Sequence, residues 1–487
     1  MSAALAFADE EIAPAELERR IACAASGLER LGIREGDVVA LMLRNSPTFI
    51  EAMLACRRLG VYYCPINWHF KADEAGFILR DSGAKALVVH AELLGEIAAG
   101  LPSGLPVVTV EPGWSAWRDA HQPWHGAPRT PRGNMPYTSG TTGRPKGVRR
   151  APASDQQRAL AVALYQTVLG LEPDMRAFVS APLYHSAPNM YALQVALSGA
   201  LLVVEPRFDA EATLALIERY RLTNLYLVPT MFVRLLRLST EVRRRYDISS
   251  VRFISSTGSP CAPELKRAMI GWFGPVITET YASSEAGHIT FIDSREWLER
   301  PGSVGRPLGD GVVKILDDDA REAPTGEVGL IYCRQPAYPD FTYTNNPAAR
   351  AALERDGLWS VGDMGYLDEA GYLYVADRKS DMVISGGVNI YPAEIEAALI
   401  NMPGVADCAV FGIPDTEFGE ALAAAVQLRS GARASAEEVQ QFLRSRLAHY
   451  KVPRLVSFHD ALPREESGKI FKRLLRDPYW ATAGRRI

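Results

Sequence analysis

The chain has 487 residues, more than a single compact core holds, so two or more folded units are expected. Hydrophobic residues at 47% and charged residues at 23% exclude a disordered or fibrous chain. With 53 basic against 57 acidic residues, a formal net charge of -4, there is no global positive field of the kind that nucleic acid or an anionic membrane would select.

The N-terminal stretch MSAALAFADEEIA is acidic and has neither the charged nor the apolar region of a secretory signal. No uninterrupted apolar run approaches the roughly 20 residues that cross a bilayer, so no integral membrane segment is expected. Six scattered cysteines, Cys23, Cys56, Cys64, Cys261, Cys333 and Cys408, form no C-x-x-C pair and no zinc spacing. They read as small buried hydrophobes, and the expected location is the reducing cytoplasm.

From Gly36 short apolar runs alternate with amphipathic stretches: VVALML, PTFIEAMLACRRLG, VYYCPIN, ADEAGFILRDSG and ALVVH. The helical members carry apolar residues at three- and four-residue spacing, as at Phe49, Met53, Leu54 and Leu59, and the strand members are nearly continuous apolar runs, as in a covered parallel sheet. The rhythm returns at Asp209, a candidate N-cap for a helix containing Leu214, Ile217 and Tyr220 that leads into NLYLVP. After Gly326 come short strands with turn signals, where DEAG reads as a hairpin turn. The charged stretch ADRKSD, residues 376–381, interrupts two apolar segments, and a new α+β pattern follows it. The expected class is α/β: a large N-terminal domain, 1–377, of layered α/β subdomains plus a β-rich subdomain, and a small α+β C-terminal domain, 378–487. Residues 463–487 hold seven Lys or Arg against three Asp or Glu, which on charge alone reads as a solvated terminal helix.

The most informative stretch is YTSGTTGRPKG, residues 137–147. Glycines allow close backbone approach, hydroxyls donate to phosphate oxygens and the lysine adds a point charge, so the stretch suits a polyphosphate. It is not a Walker A loop, because Lys146 follows Pro145 and precedes Gly147.

At this stretch, and through further motifs in the same order nearly end to end, the sequence resembles the adenylate-forming superfamily of acyl-CoA synthetases, nonribosomal peptide adenylation domains and firefly luciferase. The resemblance implies that Thr138, Ser139, Gly140, Thr141, Thr142, Gly143 and Lys146 close over the phosphates of ATP. In SSTGSPCAPEL it places Gly258, Ser259 and Pro260 against adenine. In ETYASSEAG it places Tyr281 beside the nucleotide, Ser284 near the α-phosphate and Glu285 on Mg2+, a hard cation suited to a carboxylate. Two departures stand there, Ala282 for the usual glycine and Ser284 for the usual threonine; Ser284 keeps the hydroxyl, while Ala282 narrows the acyl pocket.

Asp363, in SVGDMGYLD, corresponds to the aspartate that grips both ribose hydroxyls. The segment DRKSDMVISGGVNIYPAEIE matches the family's hinge: Arg378 contacts ribose and phosphate, Lys379 or Ser380 is the pivot of a mobile C-terminal domain, and Gly386 and Gly387 line the tunnel for the pantetheine arm of coenzyme A. Lys451, in HYKVPR, resembles the basic residue that meets the coenzyme A nucleotide. Lys469, in PREESGKI, takes the place of the catalytic lysine, a cation shared between two anions that must meet. Outside that context Asp363 would read as a strand-end cap and Lys469 as a solvated tail residue.

The implied reaction is two-step: a carboxylate and MgATP give acyl-AMP and pyrophosphate, then the thiol of coenzyme A displaces AMP. Tyr184, His185, Met190, Tyr281 and Ala282 are the candidate acyl-binding residues, with His185 gating or orienting and Lys469, Lys146, Glu285 and His185 as the catalytic set. LYHSAPNMYAL has no acidic residue to hold an ammonium, so a fatty or aromatic acid is expected rather than an amino acid. Coenzyme A is the preferred acceptor because no carrier domain follows Lys469. A ligase that loads a separate carrier protein, an inactive nucleotide-binding regulator and a luciferase-like oxygenase are the alternatives, and the sequence is compatible with a homodimer.

Overall fold

The computed structural model describes residues 4–111, 113–127, 129–138, 145–259, 261–385, 388–416, 418–464 and 470–482. The chain forms two compact units, Met1–Val313 with Cys333–Trp359, and Lys314–Tyr332 with Ser360–Ile487.

The first unit is layered α/β, as the alternation of apolar runs and amphipathic stretches requires. One sheet orders Ile277–Glu279, Phe253–Ser256, Asn224–Tyr226, Arg176–Val179, Leu201–Val204, Leu5–Phe7 and Glu10–Ile12, parallel except at the last strand. A second, all-parallel sheet orders Tyr62–Pro65, Val38–Met42, Ala86–His90 and Val107–Val110. The first three of those four strands are buried along their whole length, which is why they read as continuous apolar runs.

Helix Pro47–Arg58 packs beside this sheet, and Phe49, Met53, Leu54 and Leu59 are all buried. Each such side chain contributes about 1.5–3 kcal/mol of transfer free energy. Asp209 caps helix Ala210–Tyr220 as its position predicts, its Oδ1 accepting from the Ala212 N–H at 2.8 Å.

A small antiparallel sheet, Phe341–Tyr343, Lys146–Arg150 and Tyr137–Thr138, completes what the site needs from this unit.

In the second unit, Asp363–Leu367 and Leu373–Arg378 form the expected hairpin. Its DEAG turn is closed by Asp368, whose carbonyl accepts from Gly371 N–H and whose Oδ1 accepts from Tyr372 N–H at 2.8 Å; Gly371 sits at φ +78°, where a side chain would be strained. Position 377/378 lies at the end of strand Leu373–Arg378, where Arg378 is registered opposite Asp363. The short strands after Gly326 fall partly in each of the two units.

The C-terminal sheet orders Val388–Ile390, Val383–Ser385, Gly419–Leu428 and Val405–Asp415, with Leu455–His459 parallel to Gly419–Leu428. Helices Pro392–Leu399 and Ala436–Arg444 cover one side through Ile395, Leu399, Val439 and Leu443.

The terminal helix, Lys472–Thr482, is docked rather than solvated. Trp480 is buried and its Nε1 donates to the Gly412 carbonyl at 3.0 Å, and half-buried Lys472 pairs with Glu396 at 2.8 Å. A net basic composition concealed an amphipathic helix whose half-buried lysine has its own carboxylate.

All six cysteines are free; five are buried and Cys261 is half-buried. Among the described residues no helix is long and apolar enough to cross a membrane.

Candidate active site

The stretch TYASSEAGH folds as a tight hairpin, with Ala282–Ser283 antiparallel to Gly287–His288. Ser283 Oγ accepts from the Ala286 N–H at 2.9 Å and closes the turn. Gly287 adopts φ +74° beneath the Tyr338 ring, where a Cβ would meet a ring carbon at 2.3 Å, so no other residue fits. Ser284 and Glu285 are thereby carried on the turn. The strand leading to it ends at Glu279, which is held by the buried Lys266 ammonium at 2.7 Å.

Glu285 is only 6% exposed. Its Oε1 accepts from Thr138 Oγ1 at 3.2 Å and from Tyr343 Oη at 2.8 Å, and no described residue donates to Oε2. Burial, and then the neighbouring carboxylate, push the Tyr343 phenol above its usual range, so it remains a donor. Arg150 holds the turn by its backbone, donating to the carbonyls of Pro339 at 2.7 Å, Ser284 at 3.0 Å and Glu285. Burial depresses the Arg150 pKa, yet a guanidinium stays charged.

Thr138 and Lys146 are registered opposite each other, so the stretch between them starts and ends side by side. Lys146 Nζ lies 5.3 Å from the centroid of the Tyr343 ring and has no carboxylate partner among the described residues. Thr257 Oγ1 donates to the Thr280 carbonyl at 2.8 Å, which ties the residue before Gly258 to the residue before buried Tyr281.

The acyl-pocket candidates gather at the start of helix Ser186–Ser198. Tyr184 and His185 precede it with ring centroids 4.4 Å apart, and Ser186 Oγ lies 2.7 Å from Ser284 Oγ. Asn189, fully buried in the first turn, accepts from Tyr63 Oη at 2.7 Å and donates to the Leu183 carbonyl at 2.9 Å, which fixes where this helix begins. Met190 is half-buried, and its sulfur accepts from Gln194 at 3.4 Å.

The second unit brings Asp363 and Arg378 together: Arg378 Nε donates to Asp363 Oδ1 at 3.2 Å. Asp363 is 8% exposed and the Arg378 side chain 44% exposed. Lys379 Nζ reaches Asp318 at 3.3 Å, and the Ser380 carbonyl accepts from Arg476 Nη1 at 3.1 Å. Lys451 is tied to both oxygens of Glu394, at 2.7 and 2.6 Å. Ser139, Gly140, Thr141, Thr142, Gly143, Pro260, Gly386, Gly387 and Lys469 lie outside the described residues.

The model of the AMP-binding enzyme family matches residues 2–338, and that of the AMP-binding enzyme C-terminal domain matches residues 394–469. The chain belongs to this family, the adenylate-forming acyl-CoA synthetase superfamily. Among curated relatives of this AMP-binding enzyme, a feruloyl-CoA synthase from an Amycolatopsis species is 36% identical over 94% of this chain and 92% of its own length. An indoleacetate–CoA ligase from Aromatoleum aromaticum is 33% identical over 96% and 93%. ATP-bound MatB from Rhodopseudomonas palustris superposes with a TM-score of 0.88 at 29% identity, covering 98% of this chain and 96% of that one.

The α/β architecture with its large N-terminal and small C-terminal parts is that of the superfamily. Motif reading of this AMP-binding enzyme passed over Tyr343, Arg150 and Ser186. Arg150 leaves a faint trace, two consecutive arginines at the end of a short strand, whereas Tyr343 and Ser186 leave none.

Proposed function

We propose that the protein is an ATP-dependent acyl-CoA ligase that adenylates an aryl carboxylic acid and passes the acyl group to coenzyme A. The observation that carries this reading is the convergence on Glu285 and Ser284 of residues from three separate stretches, Thr138, Tyr343 and Ser186. A buried carboxylate with one oxygen held by two hydroxyls and the other without a donor among the described residues suits a hard divalent cation. Among the described residues no three acidic, histidine or cysteine side chains cluster to hold a metal. Magnesium would therefore rest on Glu285 and the phosphate oxygens of the nucleotide, where it would neutralise charge.

In the first step an acid oxygen attacks the α-phosphorus and pyrophosphate leaves. Lys146 and the hydroxyls of residues 138–142 hold the departing phosphates, with Gly140 and Gly143 allowing close approach. Ser284 and Ser186 share one hydrogen bond between two hydroxyls, which leaves the second proton to donate to an α-phosphate oxygen at the positive end of helix Ser186–Ser198. Gly258, Ser259, Pro260 and Tyr281 border the base, Asp363 accepts from the ribose hydroxyls, Arg378 turns from Asp363 to the nucleotide, and Lys469 bridges acid and phosphate.

In the second step the thiolate sulfur attacks the acyl carbon and AMP leaves. Lys379 and Ser380 act as the hinge between domains 1–377 and 378–487, Gly386 and Gly387 admit the pantetheine arm, and Lys451 exchanges Glu394 for the coenzyme A nucleotide.

An aryl acid is favoured because Tyr184, His185 and Tyr281 supply aromatic walls and no acidic side chain stands between Leu183 and Leu193 to hold an ammonium. The names of the ferulate and indoleacetate relatives agree with that choice. We place the reaction in the cytoplasm on the strength of the free cysteines, and gel filtration tests the homodimer. Pyrophosphate and AMP release with aryl, fatty and amino acids, each with and without coenzyme A, tests the function. Aryl acids should lead and AMP release should require coenzyme A. Best turnover of a free amino acid, or transfer only to a carrier protein, would defeat the reading.

A further inference from the structure

Beyond the residues assigned above, the first unit holds a buried polar group without work. His288 is registered directly opposite Ala282 in the hairpin, so the two side chains leave the same face of the ribbon. It is 6% exposed, and its Nδ1 has no hydrogen-bond partner among the described residues. Buried polar atoms of folded proteins are nearly always paired, so this nitrogen is able to take a hydrogen bond from a ligand or a water.

Its surroundings are aromatic. Tyr165, from helix Asp155–Leu169, meets the imidazole edge-on with centroids 6.4 Å apart and planes at 86°, and Tyr338 stands 6.2 Å from Tyr165. The Tyr338 ring is held against Gly287, which has no side chain to displace it. Burial keeps the imidazole neutral, with one nitrogen carrying hydrogen and the other bare. Arg57, half-buried on helix Pro47–Arg58, has Tyr63, Tyr165 and Arg158 as its electrostatic neighbours and no carboxylate partner among the described residues. The cluster is thus neutral to positive and hostile to an ammonium.

We propose that His288 is a specificity residue whose Nδ1 takes a hydroxyl on the ring of the acyl substrate, making hydroxylated aryl acids the preferred class. The inference rests on the ligase reading above and deepens it. A hydroxyl matches one neutral nitrogen because it can donate or accept. A second carboxylate would bring a full charge to a single neutral hydrogen bond, which does not repay its desolvation.

The test uses matched acids that differ by one hydroxyl: benzoate and 4-hydroxybenzoate, phenylacetate and 4-hydroxyphenylacetate, cinnamate and 4-hydroxycinnamate. For the pair turned over fastest, kcat/KM for coenzyme A-dependent AMP release is measured in the wild type, His288→Phe and His288→Gln. The ratio of the two acids within one preparation is independent of how much protein is folded. The wild-type ratio should favour the hydroxy acid about ten- to a hundredfold. It should fall toward one in His288→Phe, while His288→Gln, which still donates and accepts, keeps the larger part. A wild-type ratio of one or less, an unchanged ratio in His288→Phe, equal collapse in His288→Gln, or faster turnover of the matching 4-carboxy acid overturns the assignment. If aryl acids are turned over with no such pattern, only His288 is misassigned. If no acid releases AMP at all, the ligase reading itself fails.

Discussion

Glu285 in the first unit and Asp363 in the second are both buried carboxylates, yet they are held in opposite ways. Neutral hydroxyls from Thr138 and Tyr343 hold Glu285, whereas an exposed guanidinium, Arg378, holds Asp363. The contrast extends to their neighbours. Lys146 in the first unit has no carboxylate partner among the described residues, while Arg378, Lys379 and Lys451 in the second each rest on a carboxylate of their own unit. The Lys379–Asp318 pair is exposed on both sides and worth at most about 1 kcal/mol, and each of the other two keeps one partner, Arg378 or Glu394, open to solvent, where it can exchange. The first unit thus offers fixed groups around one place, and the second offers cations that can change partners between steps, which suits a domain that serves two half-reactions.

The most severe way to break this comparison is to remove Lys469, the cation proposed to bridge acid and phosphate. Lys469→Ala should slow adenylation about a hundred- to a thousandfold, on the order of 3 to 4 kcal/mol, because only that step joins two anions. Thioester formation from supplied acyl-AMP should survive. Gly387→Leu should show the reverse pattern by obstructing the pantetheine arm. Rapid mixing with ATP plus acid, and separately with acyl-AMP plus coenzyme A, reads each half-reaction alone. Equal slowing of both by Lys469→Ala would refute the division of labour.

How far the sequence was legible depends on how far apart its partners lie. The alternation from Gly36 to His90, the Asp209 cap and the DEAG turn all came through, because each depends on residues within a few positions of one another. Tyr343 reaches Glu285 only because Phe341–Tyr343 pairs with Lys146–Arg150, a contact between segments nearly two hundred residues apart that no local pattern announces. The docked terminal helix was missed for a related reason. Composition counted Lys472 as a solvent charge, but its partner Glu396 is supplied by another element.

Acid should separate the two units by a smaller amount. Burial lowers the His288 pKa to about 4 from an ordinary value of 6.5. A depressed folded-state pKa means that the unfolded chain binds the extra proton first. This contribution is therefore complete above pH 6.5 and is lost as pH falls from 6.5 toward 4, by up to about 3 kcal/mol. Thermal midpoints across that window should fall more steeply for the wild type than for His288→Gln. Parallel slopes would show that His288 is already charged or hydrated when folded.

Tyr343→Phe tests the neutral cradle itself. Removing one hydroxyl from a buried carboxylate costs about 1.5 kcal/mol, or roughly tenfold. The loss should appear in adenylation as a higher magnesium requirement, because Glu285 would be less well oriented toward the cation. Thioester formation from acyl-AMP should be unaffected. A magnesium titration unchanged from wild type would separate Glu285 from metal binding.

The smallest effect concerns Ala282, where the family's usual glycine is absent. Ala282 lies opposite His288 on the same face of a two-residue strand pair, so its methyl group narrows the space beside the imidazole. A methyl in an apolar pocket discriminates by about 1 kcal/mol at the low end, a few-fold in rate, and by more only where the pocket cannot relax. The hairpin has little freedom to relax, since Arg150 holds its turn by the carbonyls of Ser284 and Glu285, and Gly287 is pressed under Tyr338. Ala282→Gly should therefore raise kcat/KM several-fold for acids with a second ring substituent beside the hydroxyl and leave the singly substituted acids nearly unchanged. Because glycine also loosens the strand, a general fall for every acid, compared at equal folded fraction, would mean that the methyl supports the hairpin instead of bounding the substrate. A selective gain for bulky rings would place Ala282 and His288 on one wall of one pocket, a fixed wall of the kind the first unit supplies and the second does not.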